Sequence, residues 1–251
     1  MMLKDSIKKT TQFLLDILFP INCLGCHKEG EWLCKKCIQS IPLYQKRICP
    51  WCEQKQPRLQ LCQKCQTESG LDFLKVITNY QNPLFQEFLH DLKYNLAWQM
   101  IDDLNPLIKN FTHQNKGLTK FSQSVFVPIP LYQKRYRERG FNQSELIAKS
   151  LSQHMPRISV NPKILKRIKN TGSQMKLSRK ERLVNMKDAF SCLDKISVIN
   201  QKVILVDDVL TTGSTIKEAA LTLRKAGCRS VGALVLAKEE LIFKRKNVSL
   251  N

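Results

Sequence analysis

Two adjacent carboxylates, Asp207 and Asp208, stand just ahead of a hydroxyl-rich turn, Thr211-Thr212-Gly213-Ser214-Thr215. Such a turn can cradle an anion. Backbone N–H groups at a helix N-terminus converge on a phosphate, the helix dipole favours it, and the hydroxyls add donors. Carboxylates beside a phosphate repel it, so the acids must face another part of the ligand, either sugar hydroxyls or a Mg²⁺ ion. The plainer alternative is an ordinary strand-to-helix turn in which Thr211 or Thr212 only caps the helix. The full run from Val203 to Thr215, with its apolar stretch, acid pair and hydroxyl turn, favours a nucleotide-sugar phosphate site.

A second chemistry lies near the N-terminus. Eight of the ten cysteines fall in Cys-x-x-Cys knuckles: Cys23/Cys26, Cys34/Cys37, Cys49/Cys52 and Cys62/Cys65. Two intervening residues let both thiolates of a knuckle reach one tetrahedral Zn²⁺, and a second knuckle closes the site, so eight thiolates make two structural zinc ions with no open position for catalysis. Sequential pairing is the simpler arrangement because seven residues separate the first two knuckles and nine the last two, although a cross-brace is not excluded. Redox-active thiols and a remnant that has lost its metal are the competing readings. Cys192 and Cys228 read as small apolar fillers, His27 as a surface residue, and Trp32 and Trp51 as core of the small module.

The formal net charge is +20. It is unevenly placed: residues 131–187 hold fifteen Lys/Arg against three acids, Glu138, Glu145 and Glu181. A solvated face is the ordinary meaning of a charge run, but this block flanks the anion-binding turn and implies polyanions, either nucleic acid or diphosphates. At the N-terminus, Asp16 interrupts the run Phe13–Phe19 and no small-residue cleavage site follows, so an amphipathic helix over residues 1–20 is expected and not a signal peptide or transmembrane segment. Cysteine clusters without an export signal point to a reducing cytoplasm.

The elements that must position these groups follow from periodicity. Residues 21–70 form the zinc-binding module, with Gln66 to Gly70 a polar linker, and residues 71–251 the larger domain. Strands are expected at Leu71–Thr78, Val125–Ile129, Val203–Val206 and Val231–Leu236. Helices are expected from Pro83, from Asn142 to Leu151 with Asn142 as cap, and from Ile216 to a stop at Gly227. Strand alternating with helix gives an α/β fold with a mostly parallel, Rossmann-like sheet, whose ligands bind beyond the carboxyl ends of the strands.

The run from Val203 to Thr215 resembles the phosphoribosyl-pyrophosphate (PRPP) signature of type I phosphoribosyltransferases. The resemblance implies that Asp207 and Asp208 bind the ribose diol, that Thr211, Thr212, Gly213, Ser214 and Thr215 hold the 5′-phosphate, and that Mg²⁺ accompanies PRPP. Phe126-Val127-Pro128-Ile129-Pro130-Leu131 leading to Lys134-Arg135-x-Arg137-Glu138-Arg139-Gly140-Phe141-Asn142-Gln143-Ser144 resembles the ComF family, as does Thr171-x-x-Gln174 leading to Arg179, Glu181-Arg182 and Asn185. A double zinc ribbon ahead of a phosphoribosyltransferase domain completes that likeness.

Beside the resemblance stands the chemistry of the residues themselves. Arg135, Arg137 and Arg139 follow a strand end and can turn toward the cleft, where guanidinium groups suit pyrophosphate or a DNA backbone. Residues 166–182 read as either a substrate lid or a plain solvated loop. ComF likeness implies natural transformation, so single-stranded DNA and other DNA-uptake or recombination proteins are expected partners, the basic block serving as a backbone-tracking groove. The alternative is a phosphoribosyltransferase enzyme. The sequence supplies the donor grip but names no catalytic residue and no acceptor.

Overall fold

The computed structural model describes residues 20–94, 98–115, 121, 123–155, 157–171 and 185–240. The expected N-terminal helix, and residues 172–182 of the basic lid segment, lie outside the described residues.

Five parallel strands form the central sheet. They are β1 (Phe73–Asn79), β2 (Ser124–Pro128), β3 (Ser159–Val160), β6 (Lys202–Leu210) and β7 (Ser230–Lys238), in the spatial order β1-β7-β6-β2-β3. A separate antiparallel pair, β4 (Leu165–Arg167) with β5 (Phe190–Cys192), packs beside it. Central β6 and β7 are buried along nearly their whole length, as parallel strands covered on both faces must be, and the Val-, Ile- and Leu-rich runs supply that burial. The sheet's two faces carry separate cores. One gathers Phe85, Phe88 and Leu92 with Ile147, Ile204 and Val206; the other gathers Leu205, Val235, Ala219 and Leu223.

Helices α1 (Lys35–Gln39) and α2 (Gln63–Ser69) belong to the cysteine-rich module. The larger domain contributes α3 (Pro83–Tyr94), α4 (Asn105–Gln114), α5 (Gln133–Arg139), α6 (Gln143–His154) and α7 (Ser214–Lys225). Asn142 caps α6 as expected, accepting a hydrogen bond from the Ser144 N–H at 3.1 Å.

Two boundaries differ from the sequence reading. The polar stretch read as a linker is the end of α2, which starts directly after Cys62 and buries Cys65 and Ser69. The acids expected just past the end of a strand lie inside β6, because pairing with β7 continues to Leu210 opposite Lys238.

The cysteine-rich module has little interior of its own and shares that of the sheet. Leu33, Ile38 and Ile41 join one core, while Tyr44, Leu61 and Cys65 join the other. Its chain is also strapped to the carboxyl ends of the strands. The Tyr44 N–H donates to the Ile77 carbonyl at 2.8 Å, Thr78 Oγ1 donates to the Pro42 carbonyl at 2.6 Å, and fully buried Lys238 pairs with Glu53. Removing one partner of such a buried ion pair costs about 3–5 kcal/mol, so this strap is a strong one.

Between β1 and β7 the Phe73 ring fills the space that a side chain on Gly232 would need. Phe73 is in register with Gly232, and a methyl placed on Gly232 would lie 2.0 Å from the Phe73 ring. Gly232→Ala is expected to destabilise the protein by about 1–3 kcal/mol, the typical range for overpacking. Denaturant unfolding measures it, and a Gly232→Ala/Phe73→Leu double variant should recover part of the loss.

Candidate functional site

Asp207 and Asp208 are both more than nine-tenths buried, where three elements meet. Ser144 Oγ, in the first turn of α6, donates to Asp207 Oδ1 at 2.9 Å. The same oxygen accepts from the Asp208 N–H at 3.0 Å. Asp208 Oδ1 accepts from the Val209 N–H at 2.7 Å, and Asp208 Oδ2 lies 2.6 Å from Lys93 Nζ at the end of α3. These contacts divide the pair electrostatically. Burial and the neighbouring Asp208 charge push Asp207 up to about 7, against the Ser144 bond. Asp208 is also buried, yet the Lys93 ammonium beside it holds its carboxyl below the usual range. Asp208 is therefore the charged member and Asp207 the one whose ionisation a ligand can change.

Cations gather around this pair. Arg139 Nη1 donates to Gln143 Oε1 at 2.5 Å, and its guanidinium lies 5.5 Å from the ring centre of exposed Tyr94, close enough to feel the Asp208 charge. Burial lowers both Arg139 and Arg167, and the neighbouring Arg135 charge adds to it. Arg137 is exposed. Helix α5, which carries all three arginines, buries none of its residues, and it ends at Gly140 in the left-handed region at φ 76°. Arg167, at the end of β4, stacks 5.7 Å from the Phe190 ring centre, donates to Thr171 Oγ1, and senses the Asp207 charge. Asn185 Nδ2 donates to the Thr171 carbonyl at 2.6 Å, and Lys166 and Arg167, at the start of the expected lid or loop, belong to strand β4.

The turn itself, 211–215, leads straight from β6 into α7. Gly213, at φ 77°, occupies the N-cap position of α7, so neither Thr211 nor Thr212 is the capping residue. Thr212 Oγ1 instead lies 3.1 Å from Ser214 Oγ and accepts from the Ser214 N–H at 3.4 Å. The first N–H groups of a helix lack intrahelical acceptors, and of these the Ser214 N–H has, among the described residues, only the long Thr212 contact, which an oxyanion could replace.

Lys93 and Tyr94 carry no signal in the sequence that marks them for this site, while Ser144 closes the ComF-like motif and Arg167 lies in the segment read as a lid or loop, neither with a role of its own assigned there. Lys93 ends an apolar-periodic helix, Ser144 follows a capping residue, and only the fold brings them to the acids. Trp51 packs with the module's core residues Tyr44, Cys49, Leu61 and Cys65, as its sequence reading has it, and in addition its ring packs on Gly213 of the turn.

The eight knuckle cysteines form two groups, Cys23/Cys26/Cys34/Cys37 and Cys49/Cys52/Cys62/Cys65, with all sulfurs of a group within 4.8 Å of one another. This is the sequential arrangement. Backbone N–H groups point at the sulfurs, Cys34 N to Cys23 Sγ at 3.3 Å and Cys62 N to Cys49 Sγ at 3.4 Å. Within each group the thiols diverge. Burial opposes ionisation of Cys23, yet N–H bonds from Cys34, Cys26 and Gly25 bring it down to about 6, while burial and its sulfur neighbours push Cys37 up to about 12. Cys49 is likewise lowered and Cys65 raised. Four sulfurs this close cannot all ionise without a cation between them, and a tetrahedral Zn²⁺ fits that donor set.

Sheet, acid pair, hydroxyl turn and twin four-cysteine groups together define a zinc-ribbon protein built on a phosphoribosyltransferase-type domain. Residues 14–66 match the double zinc ribbon domain and residues 142–247 the phosphoribosyl transferase domain. The chain is 32% identical over 232 residues to competence protein F of Haemophilus influenzae, a match covering 88% of this chain and 98% of that protein. It is 29% identical over 213 residues to the DNA utilization protein YhgH of Escherichia coli (83% and 92%), and 28% identical over 237 residues to competence protein ComFC of Bacillus subtilis (91% and 92%). The chain belongs to the ComF family.

Freshly purified, reduced protein is expected to contain two zinc ions per chain by elemental analysis. Cys34→Ser and Cys62→Ser should each release one of them, and loss of both ions from either single variant would show that the sites are not independent.

Proposed function

We propose that the protein binds PRPP with Mg²⁺ in the site at the end of β6, handles single-stranded DNA over the adjoining basic helix, and acts in DNA uptake in the cytoplasm. The observation that carries the reading is the buried acid pair, already supplied with Lys93 and Arg139, directly ahead of a glycine-opened helix N-terminus. A ligand that satisfies every part of this site carries a phosphate for residues 211–215, a hydroxyl pair for Asp207 and Asp208, and further negative charge for Arg135, Arg139 and Lys93. PRPP has all three. Mg²⁺ would be held by the same carboxylates together with the diphosphate, drawing Asp208 away from Lys93 and freeing that ammonium for a phosphate oxygen.

The DNA part of the reading rests on α5 and its surroundings. An unburied helix bearing Lys134, Arg135, Arg137 and Arg139 beside exposed Tyr94 and Tyr136 combines backbone-neutralising charge with aromatic faces on which bases can stack. The relatives named for competence and DNA utilization agree with it. A second reading, transfer of the phosphoribosyl group to an acceptor, is favoured by Asp207, whose position near 7 suits proton transfer in neutral solution. Release of pyrophosphate in the presence of candidate acceptors tests it.

Asp207→Asn/Asp208→Asn should keep the fold and weaken PRPP binding at least tenfold by calorimetry with Mg²⁺ present. Equal affinity in the double variant would remove the acids from the site. The pH dependence has a definite sign. Mg²⁺ needs Asp207 ionised, and the carboxylate is also the stronger acceptor for the diol, so affinity should rise with pH through about 7, and in Asp207→Asn only the titration of PRPP's own phosphates should remain. The stability of the ligand-free protein runs the other way. A carboxyl raised in the folded state favours folding most at acid pH, and that contribution is lost as pH rises through 7.

Single-stranded DNA binding should fall steeply with salt and depend little on sequence. Neutralising Arg135, Arg137 and Arg139 should lower the salt slope by roughly one unit or less per phosphate contact removed. Gel-shift titrations across salt measure this, and a salt-insensitive interaction, or none at low salt, would overturn the DNA reading.

A further inference from the structure

Trp51 lies between Cys49 and Cys52, and its six-membered ring rests against the backbone of the anion-binding turn. A methyl built on Gly213 would come within 2.6 Å of Cη2, 2.7 Å of Cζ2 and 2.9 Å of Cζ3. Gly213 is thus held glycine on two counts, by its positive φ of 77° and by the indole occupying the space of a side chain. The next knuckle residue but one makes a second grip. Glu53, itself in the left-handed region at φ 62°, pairs with Lys238, which is in register with Leu210, the residue directly ahead of the turn. The Glu239 N–H closes the same corner by donating to the Leu210 carbonyl at 2.9 Å. One five-residue segment, Cys49 to Glu53, therefore holds the turn at its centre through Trp51 and at its start through Lys238.

Among the described residues the other cysteine group makes no contact with the turn. It leans instead on α3, the short helix before α4, and α4: Leu84 meets Gly25, and the Leu33 N–H donates to Asp103 at 2.9 Å. The two groups differ in what they support, although their ligand sets are the same.

We propose that the Cys49/Cys52/Cys62/Cys65 site acts as a clamp on the anion-binding turn, with Trp51 as the positioning residue. The knuckle fixes Trp51, and Trp51 presses Gly213 into the conformation that presents the N–H groups of residues 213–215. A turn prepared in this way avoids the ordering that a mobile one would undergo on binding, so ligand affinity depends on the state of a metal site that never touches the ligand. Metal loss at this group, and not at the first, would release the turn. The consequence for affinity rests on the phosphate reading of residues 211–215; the mechanical coupling does not.

Two measurements on the full, zinc-loaded chain separate the coupling from that reading. The first is amide hydrogen exchange of residues 212–216 without ligand. Trp51→Ala should speed it about tenfold or more with both zinc ions retained, Trp51→Phe should restore part of the protection, and Trp32→Ala should leave it unchanged. Cys62→Ser should loosen the same amides and Cys34→Ser should not. If Trp51→Ala does not fold, Trp51→Leu, which keeps apolar bulk without the ring face, is read in its place. Unchanged exchange at full zinc content overturns the clamp. The second is PRPP calorimetry with Mg²⁺, where Trp51→Ala should weaken binding about tenfold. Faster exchange in a protein whose wild type binds no PRPP keeps the clamp and removes the PRPP reading. Tight binding by both wild type and variant, with unchanged exchange, does the reverse.

Discussion

Two carboxylates on consecutive residues, both buried, set the terms for everything around them. Taking one ion out of water costs several kcal/mol even after relaxation, and a second beside it adds repulsion. The protein meets this by dividing the pair. Asp208 takes the Lys93 ammonium and keeps its charge, while Asp207 takes a serine hydroxyl and a backbone N–H and is left near neutrality. Each partner comes from a different element, so α3, α6 and β6 must meet at one point for the pair to be tolerated at all. A parallel sheet provides that point at the carboxyl ends of its strands. Buried charges whose partners a ligand can replace make a receptive site; in the proposed reading diol and metal would take the acids and diphosphate the cations.

The zinc-binding module answers a different constraint. About fifty residues with four knuckles bury too little to stand without metal or a neighbour, and this module uses both. Its apolar residues are divided between the two cores of the sheet, and its backbone is tied to Ile77, Thr78 and Lys238 at the strand ends. It therefore roofs the same end of the sheet at which the acid pair lies. In that place a metal site contributes more than local stability, because the knuckle that closes it also shapes the turn next to the acids.

Much of this was legible in the sequence, for physical reasons. The β6 run, the Pro83 helix, the Asn142 cap and the knuckles are local patterns in which neighbouring residues carry the whole signal. Errors arose where pairing or docking overrode local composition. Gln, Thr, Glu and Ser after Cys65 read as linker, yet the knuckle fixes the start of α2 and Cys65 and Ser69 bury its inner face. The acids read as lying beyond a strand, yet β7 carries the pairing past them. Lys93, Ser144, Arg167 and Trp51 could not be assigned in advance, because what gives each its part is a contact with residues remote in the chain, and no spacing rule encodes such a contact.

Under the proposed function, ligand binding exchanges the partners of the acid pair. A crystal structure of the protein with PRPP and Mg²⁺ should show the 5′-phosphate on the N–H groups of residues 213–215, the ribose hydroxyls or metal on Asp207 and Asp208, and Lys93 Nζ moved off Asp208 Oδ2 onto a phosphate oxygen. PRPP seated elsewhere, with the 2.6 Å Lys93–Asp208 pair intact, would contradict that exchange.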